Sequence, residues 1–265
     1  MYDLVVCAVV KNEAPYLEEW LCWHLLQGVE HFYIWENDSD DDTWKILSRY
    51  AEKGLVTPAK VHGCPCQMDA YHNFLKAHKN EANWVAFIDC DEFLYAPDTR
   101  KLPEVLKQYQ PYSGVAVHWI FFGSNGHRTK TPGLVIERFT KCCCTVSDFV
   151  KSILHPTQVF IRPANNSHAF QVLNYVVDEN ERMLPSNYTG VNMATAKVLC
   201  IAHFHTKSYE EAMLRWSLNG SRRVFDGVSF GDLEVKFTGH DINDESNFFL
   251  ANQSGKVKEK VKELA

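Results

Sequence analysis

No glycine-rich loop follows the first apolar run of this sequence; Lys11-Asn12-Glu13 stands there instead. That argues against a P-loop and against a dinucleotide fingerprint, both of which need glycines for close backbone approach to phosphate. No stretch reaches 18 apolar residues, and the N-terminus has neither a basic segment nor a long apolar core. A membrane-spanning helix and a secretory leader are therefore not expected. No basic block precedes the tail, and the net charge is −6, so nucleic acid is not an expected partner. Zinc spacing is missing too. Cys64-Pro65-Cys66 is too short, and Cys142-Cys143-Cys144 are poorly placed to share one metal. The nine cysteines are an odd number, and Cys7, Cys22, Cys90 and Cys200 sit in apolar patterns. They read as small hydrophobes in a reducing compartment, and the expected location is cytoplasmic. Five Asn-x-Ser/Thr triplets, at Asn37, Asn165, Asn187, Asn219 and Asn252, acquire meaning only if the chain is secreted. There is no repeat, low-complexity segment or linker, so the 265 residues read as one large domain, or as one domain with a small appendage.

What is present begins with core material: 46% of the chain is apolar, with 16 Phe, 11 Tyr and 7 Trp. The organising stretch is Trp84-Val85-Ala86-Phe87-Ile88-Asp89-Cys90-Asp91-Glu92-Phe93. Its short, unalternating apolar run predicts a strand buried on both faces, as in a parallel sheet. Such a strand delivers its carboxylates to the carboxyl edge of the sheet, where open α/β folds bind ligands. On a fully extended chain Asp89 and Asp91 share a face. Two readings follow: a divalent cation between them and an anionic ligand, or a solvated acidic turn.

The preceding chain predicts a βαβαβαβ order. Leu4–Val10 reads as the first strand, Asn12 as a helix cap with Pro15 in the first turn, and Gly28 as the helix stop. His24 on that helix reads as a core histidine. Phe32–Trp35 is a second strand running into Glu36-Asn37-Asp38-Ser39-Asp40-Asp41-Asp42. That run is read both as a helix-capping turn and as an acidic edge for sugar or base hydroxyls. A helix from Trp44, a third strand from Leu55-Val56 and a helix over Asp69–His78 complete a half-Rossmann-like unit. The second half turns mixed. Strands are expected at Val115–Phe122, Val150–Leu154, Val159–Ile161, Phe170–Leu173 and Val198–Ala202, and a helix at Tyr209–Leu218. His203 and His205, two apart, can face one way and offer nitrogen to a metal or donors to phosphate. Lys256–Leu264 reads as a solvated charged helix.

Several stretches, in order over residues 4–220, resemble glycosyltransferase family 92 and related family-2-like enzymes. They are Val9–Glu13 with Leu17–Trp20, Glu36–Asp41, Phe87–Phe93, Trp119–Ser124, Val150–Ile153, and Ala202-His203-Phe204 with Lys207-Ser208. The resemblance implies an α/β, GT-A-like fold, with residues 1–100 as the nucleotide-sugar half, 101–250 as the acceptor half and 251–265 as a polar tail. It also implies a nucleotide-sugar donor, UDP-linked by family habit, a glycan or other hydroxyl acceptor, and Mn²⁺ or Mg²⁺. Carried over by position, Lys11, Glu13, Asn37 and Asp38 would line the nucleoside pocket. Asp89 and Asp91 would hold metal and diphosphate, with His203 completing the shell. Lys151 and Lys207 would contact diphosphate or acceptor, and Trp119, Phe122, Gly123 and Ser124 would lie beside the acceptor. The chain departs from the family in the Ala202 and His205 that flank His203, and in having no membrane anchor, which favours a cytosolic, microbial or viral enzyme.

The implied reaction is an inverting sugar transfer. Cations stabilise the leaving diphosphate, aromatic faces such as Trp119 and Phe122 stack on sugars, and a general base takes the acceptor proton. Asp91 is placed in that catalytic set, and His127, Asp148 and Glu137 are the candidate bases; Glu92 is an alternative group for orienting a hydroxyl. Two rivals stand beside it. A phosphotransferase with an aspartate nucleophile would carry its Asp-x-Asp after the first strand, not the fourth. A non-catalytic sugar-binding or nucleotide-binding protein of the same fold would bind donor without hydrolysing it.

Overall fold

The computed structural model describes residues 1–63, 66–160, 166–185, 188, 194–218 and 230–265. Cys64 and Pro65 of the short cysteine pair, Ile161, and the triplet residues Asn165, Asn187 and Asn219 lie outside the described residues. The first half alternates strand and helix: β1 (Tyr2–Val10), α1 (Ala14–Gln27), β2 (His31–Glu36), α2 (Thr43–Glu52), β3 (Val56–Lys60), α3 (Gln67–Ala77) and β4 (Ala82–Phe87). Then come β5 (Glu92–Tyr95), α4 (Leu102–Leu106), β6 (Gly114–Phe121), α5 (Val135–Arg138), β7 (Lys141–Cys142), β8 (Val150–Leu154) and β9 (Val176–Val177). The chain ends in β10 (Cys200–His203), α6 (Tyr209–Leu218), α7 (Phe230–His240), β11 (Glu245–Ser246) and α8 (Ser254–Leu264).

One mixed sheet runs β3-β2-β1-β4-β8-β6-β10-β5, with β9 beside β6. Strands β3, β2, β1 and β4 are mutually parallel, while β8 joins β4 and β6 antiparallel and β5 joins β10 antiparallel. This is the α/β, GT-A-like arrangement: a half-Rossmann unit merged with a mixed half. Strands β1, β2 and β4 are buried along most of their length because both faces are covered, whereas edge strand β3 buries only Val56. Leu17, Trp20, Leu21, Leu47 and Tyr50 cover one face, and Tyr71, Phe74 and Leu75 of α3 the other.

Helix α1 ends where Gly28 adopts φ 98°, a left-handed conformation that L side chains avoid. His24 is fully buried, pairs through Nδ1 with Trp20 O at 2.8 Å and through Nε2 with Leu94 N at 3.1 Å, and is held neutral by burial. It is a core histidine. The eight described cysteines are free thiols, six of them buried.

Four expectations need correcting. Asn12 does not cap α1: it sits at φ 54°, and its side-chain oxygen accepts from Asp40 N instead, tying the β1 edge to the acidic run. The segments at Val159–Ile161 and Phe170–Leu173 make no strands among the described residues, only a bridge between Val159 and Val172. Helix α7 was not foreseen; Leu233 and Phe237 pack there on Ala212 and Trp216. The C-terminal helix is solvated on one side only, because Val257 is fully buried and Val261 and Leu264 pack on the core.

Candidate active site

Strand β4 stops at Phe87, and the chain turns through Asp89–Asp91 before β5 departs antiparallel to β10. Asp89 and Asp91 are thus not on an extended chain, and they part. Asp89 accepts from Lys151 Nζ of β8 at 2.8 Å and from Gln67 Nε2 of α3 at 2.6 Å. Lys151 is 1% exposed, 3.8 Å from Glu92 as well; burial opposes its charge, yet Asp89 and Glu92 raise its pKa. Glu92 is fully buried, which drives its carboxyl far above the usual range, and its Oε2 accepts from Asp89 N. Its buried carboxyl supports the turn from within the fold.

Asp91 faces the other way. Its Oδ2 lies 2.5 Å from Arg215 Nη1 of α6 and 3.4 Å from His203 Nε2 of β10. Burial opposes its charge, but Arg215 and His203 hold its pKa well below the ordinary value. Ligand atoms of Asp91, His203 and His205 all lie within 4.8 Å of one another. The two imidazole rings are 5.4 Å apart, so the histidines do converge. Burial first, then Arg215, lowers the pKa of His205 to about 3, which keeps it neutral and able to ligate. His203 Nδ1 is buried with no hydrogen-bond partner, a cost that a ligand or ion would relieve. One carboxylate and two imidazoles fit a transition ion such as Mn²⁺ better than Mg²⁺, which prefers oxygen throughout. Asp89 is not in this group, and Asp91 reaches it while also paired with Arg215.

The β1 and β2 edges meet beside this turn. Asp38, at φ 50°, pairs with His62 Nδ1 at 2.6 Å; that bond lowers its pKa, and Lys11 adds to the effect. Asn37 is buried and gives its amide hydrogens to Val61 O and Gly63 O, so it fixes the loop that carries Asp38. Glu13 Oε2 is buried without a hydrogen-bond partner, and burial raises its pKa against the pull of Lys207 and Arg215. A cavity of about 160 Å³ opens there, lined by Glu13, Tyr16, Thr206, Lys207, Glu211 and Arg215 among others. Lys207 is 4% exposed, at φ 53°, with Nζ over the Tyr16 ring at 4.5 Å.

The acceptor residues read from the sequence lie deeper than expected. Phe122 is 2% exposed, packed on Phe204. Gly123 leaves no room for a side chain, since a Cβ would come within 2.2 Å of Ile242 O. Ser124 is buried and donates to Asp241 through both N–H and Oγ. Gly123 and Ser124 clasp the segment after α7, and all three are buried. Trp119 is 8% exposed, but its ring lies 4.5 Å from that of His203, so it floors the site from below. Among the candidate bases, Glu137 is tied to Lys258 of α8 at 2.5 Å, and His127 packs edge-on against Phe139. Asp148 is exposed in the loop before β8. The sequence reading missed Gln67, His62, Arg215 and His168. Arg215 is the most consequential, and only its place on the helix after His205 hinted at it.

The sequence model of glycosyltransferase family 92 matches residues 2–187. The chain belongs to glycosyltransferase family 92. A family 92 protein of Oryza sativa subsp. japonica is 30% identical over 200 residues, which are 71% of this chain and 33% of that protein. A galactan β-1,4-galactosyltransferase of Arabidopsis thaliana is 25% identical over 125 residues, 42% of this chain and 24% of its own. This family 92 chain spans about a third of the length of the first of these relatives. Among solved structures, a fragment of S. aureus TarS is 12% identical with a TM-score of 0.42, covering 100% of this chain and 83% of that one. No helix among the described residues is long and apolar enough to cross a membrane.

Proposed function

We propose that this chain is a metal-dependent glycosyltransferase that moves a sugar from a nucleotide-sugar, UDP-linked by preference, to a glycan hydroxyl with inversion. The observation that carries this reading is the convergence of Asp91, His203 and His205 at the carboxyl edge of the sheet, beside Lys151 and Lys207. Membership of family 92 supports the reaction class. The relative named as a galactan galactosyltransferase supports a galactosyl donor and a galactan-like acceptor.

In this reading Asp91, His203 and His205 hold Mn²⁺, which when bound neutralises charge on the donor diphosphate. Asp89 keeps Lys151 charged and aimed at the same edge. Lys207 and Arg215 stand on the cavity side of Asp91, where cations stabilise negative charge growing on the leaving group in a site shielded from water. Asp38 accepts from the nucleoside, and Asn37 and His62 set its orientation. Lys11, the first residue after β1, completes the nucleoside side.

Calorimetric titration of UDP, GDP and CMP with and without Mn²⁺ tests the reading. UDP binding that disappears with a chelator is expected. Failure of every nucleotide to bind the folded, Mn²⁺-loaded protein overturns it and leaves a sugar-binding role.

A further inference from the structure

We propose that Phe149, Trp119 and His168 form the acceptor subsite, in which a pyranose face stacks on Phe149 and the attacking hydroxyl gives its proton to His168 Nε2. The inference rests on the transferase reading above and adds the residues that receive the acceptor.

The aromatic residues read from the sequence for this task are buried, so the surface for a sugar has to come from elsewhere. Phe149 is 52% exposed although its ring lies 5.8 Å from that of Trp119. Its backbone is fixed: Phe149 O accepts from Trp119 N, and Ser147 N donates to Trp119 O. A large ring on a fixed backbone, with half the residue's surface open, is a platform, since the C–H face of a sugar is attracted to the negative face of an aromatic ring. Trp119 links it to the candidate metal group, because its other side meets His203 at 4.5 Å.

His168 completes the arrangement. Its ring lies 5.3 Å from Trp119 and 6.3 Å from Phe149. Its Nδ1 pairs with Val150 O at 2.8 Å. A carbonyl only accepts, so the hydrogen is on Nδ1 and the Nε2 lone pair is available. Burial, then Lys151, favours the neutral ring, and Asp89 and His203 are the other charged or titratable groups whose fields reach it. None of the three bases expected from the sequence has this combination of a fixed tautomer and a seat beside both the platform and the Asp89–Lys151 pair. In the transfer step the acceptor oxygen forms a bond to the anomeric carbon while the bond from that carbon to the diphosphate oxygen breaks. Its electron pair leaves with the nucleoside diphosphate, and the hydroxyl proton ends on His168 Nε2.

The test uses the full chain with Mn²⁺ and UDP, and methyl β-galactopyranoside and β-1,4-galactobiose as probes. Saturation-transfer NMR from the aromatic protons should mark one face of the sugar ring in the wild type. Phe149→Ala should weaken probe binding about tenfold, the scale of one aromatic contact, and Phe149→Tyr should restore it. With UDP-galactose as donor, His168→Asn, which keeps the bond to Val150 O, should retain probe binding and slow probe-dependent UDP release by about 10²-fold or more. Absence of probe binding in a wild type that binds UDP overturns the subsite, as do unchanged binding in Phe149→Ala or wild-type turnover in His168→Asn. Those outcomes leave the transferase reading standing, whereas a wild type that binds no UDP defeats that reading itself.

Discussion

Asp89 and Asp91 are two residues apart in one turn, yet they hold different partners. Asp89 is 35% exposed and holds a lysine from the antiparallel partner of β4. Asp91 is 4% exposed and holds an arginine from α6 and a histidine from β10. The first is a carboxylate that keeps a cation charged; the second is one that cations keep charged. The difference teaches that an Asp-x-Asp sequence is not by itself a paired ligand. A turn between the two residues lets a sheet edge pair one with a lysine and place the other in the candidate ion group.

The sharpest way to break the comparison is to remove each carboxylate in turn. Asp91→Ala leaves Arg215 and His203 facing a buried void, and loss of one partner of a buried pair costs about 3–5 kcal/mol. Urea unfolding should show that loss, and electron paramagnetic resonance should show Mn²⁺ binding abolished. Retained Mn²⁺ binding would remove Asp91 from the ion site.

Glu19 supplies the control, a buried carboxylate with no ion pair of its own among the described residues. It accepts from Val135 N and Ile136 N at 2.7 and 3.0 Å, and burial outweighs those bonds and raises its pKa from 4.5 to about 7. A carboxyl whose folded pKa lies above its unfolded one binds more protons when folded. Its contribution to stability is full below pH 4.5 and is lost as pH rises through about 7. The loss is roughly 3 kcal/mol at about 1.4 kcal/mol per pKa unit. Glu19→Gln should remove that stretch of the pH–stability curve, and an identical curve in the variant would show that Glu19 is ionised throughout. Asp91, with cations beside it, should show no such loss across the same range.

Asp89→Asn should cost less, about 1–2 kcal/mol, because Asp89 is partly solvated and an asparagine oxygen can still accept from Lys151 Nζ. Mn²⁺ binding should survive. A penalty equal to that of Asp91→Ala would erase the distinction between the two residues.

How much of this was legible depends on how far each interaction reaches along the chain. The half-Rossmann unit was readable because Leu4–Val10, Phe32–Trp35 and Trp84–Phe87 are continuous apolar runs, each separated by helical periodicity and stopped by a glycine or an acidic edge. The carboxylates and His203 were readable for the same reason, as polar groups at the ends of such runs. Their partners were not. Lys151 lies 62 residues from Asp89 and Arg215 lies 124 from Asp91, and no local pattern encodes a bond of that span. Trp119 and Phe122 looked like sugar platforms because residue type does not report burial. Phe149 went unread because a single aromatic beside Asp148 breaks no periodicity. His168 sits between short bridges without a strand pattern around it. Helix α7 carried one usable sign, the i, i+4 pair Leu233 and Phe237.

The smallest effect sharpens the comparison most. Arg215 Nη1 holds the same Oδ2 of Asp91 that is nearest His203, so in the proposed ion site arginine and a divalent ion would compete for Asp91. Arg215→Met keeps the length of the side chain and removes its charge. Asp91 is then buried with His203 alone, and the metal-free protein should melt lower. Mn²⁺ no longer has to displace a guanidinium, so its affinity in the absence of nucleotide should rise about tenfold, or about 1.4 kcal/mol. Added Mn²⁺ should recover the lost melting temperature by mass action, more in the variant than in the wild type. If Arg215→Met binds Mn²⁺ no better than the wild type, Arg215 and the ion occupy different sides of Asp91. The arginine then belongs with Lys151, as a cation held in place by a carboxylate rather than a stand-in for the metal.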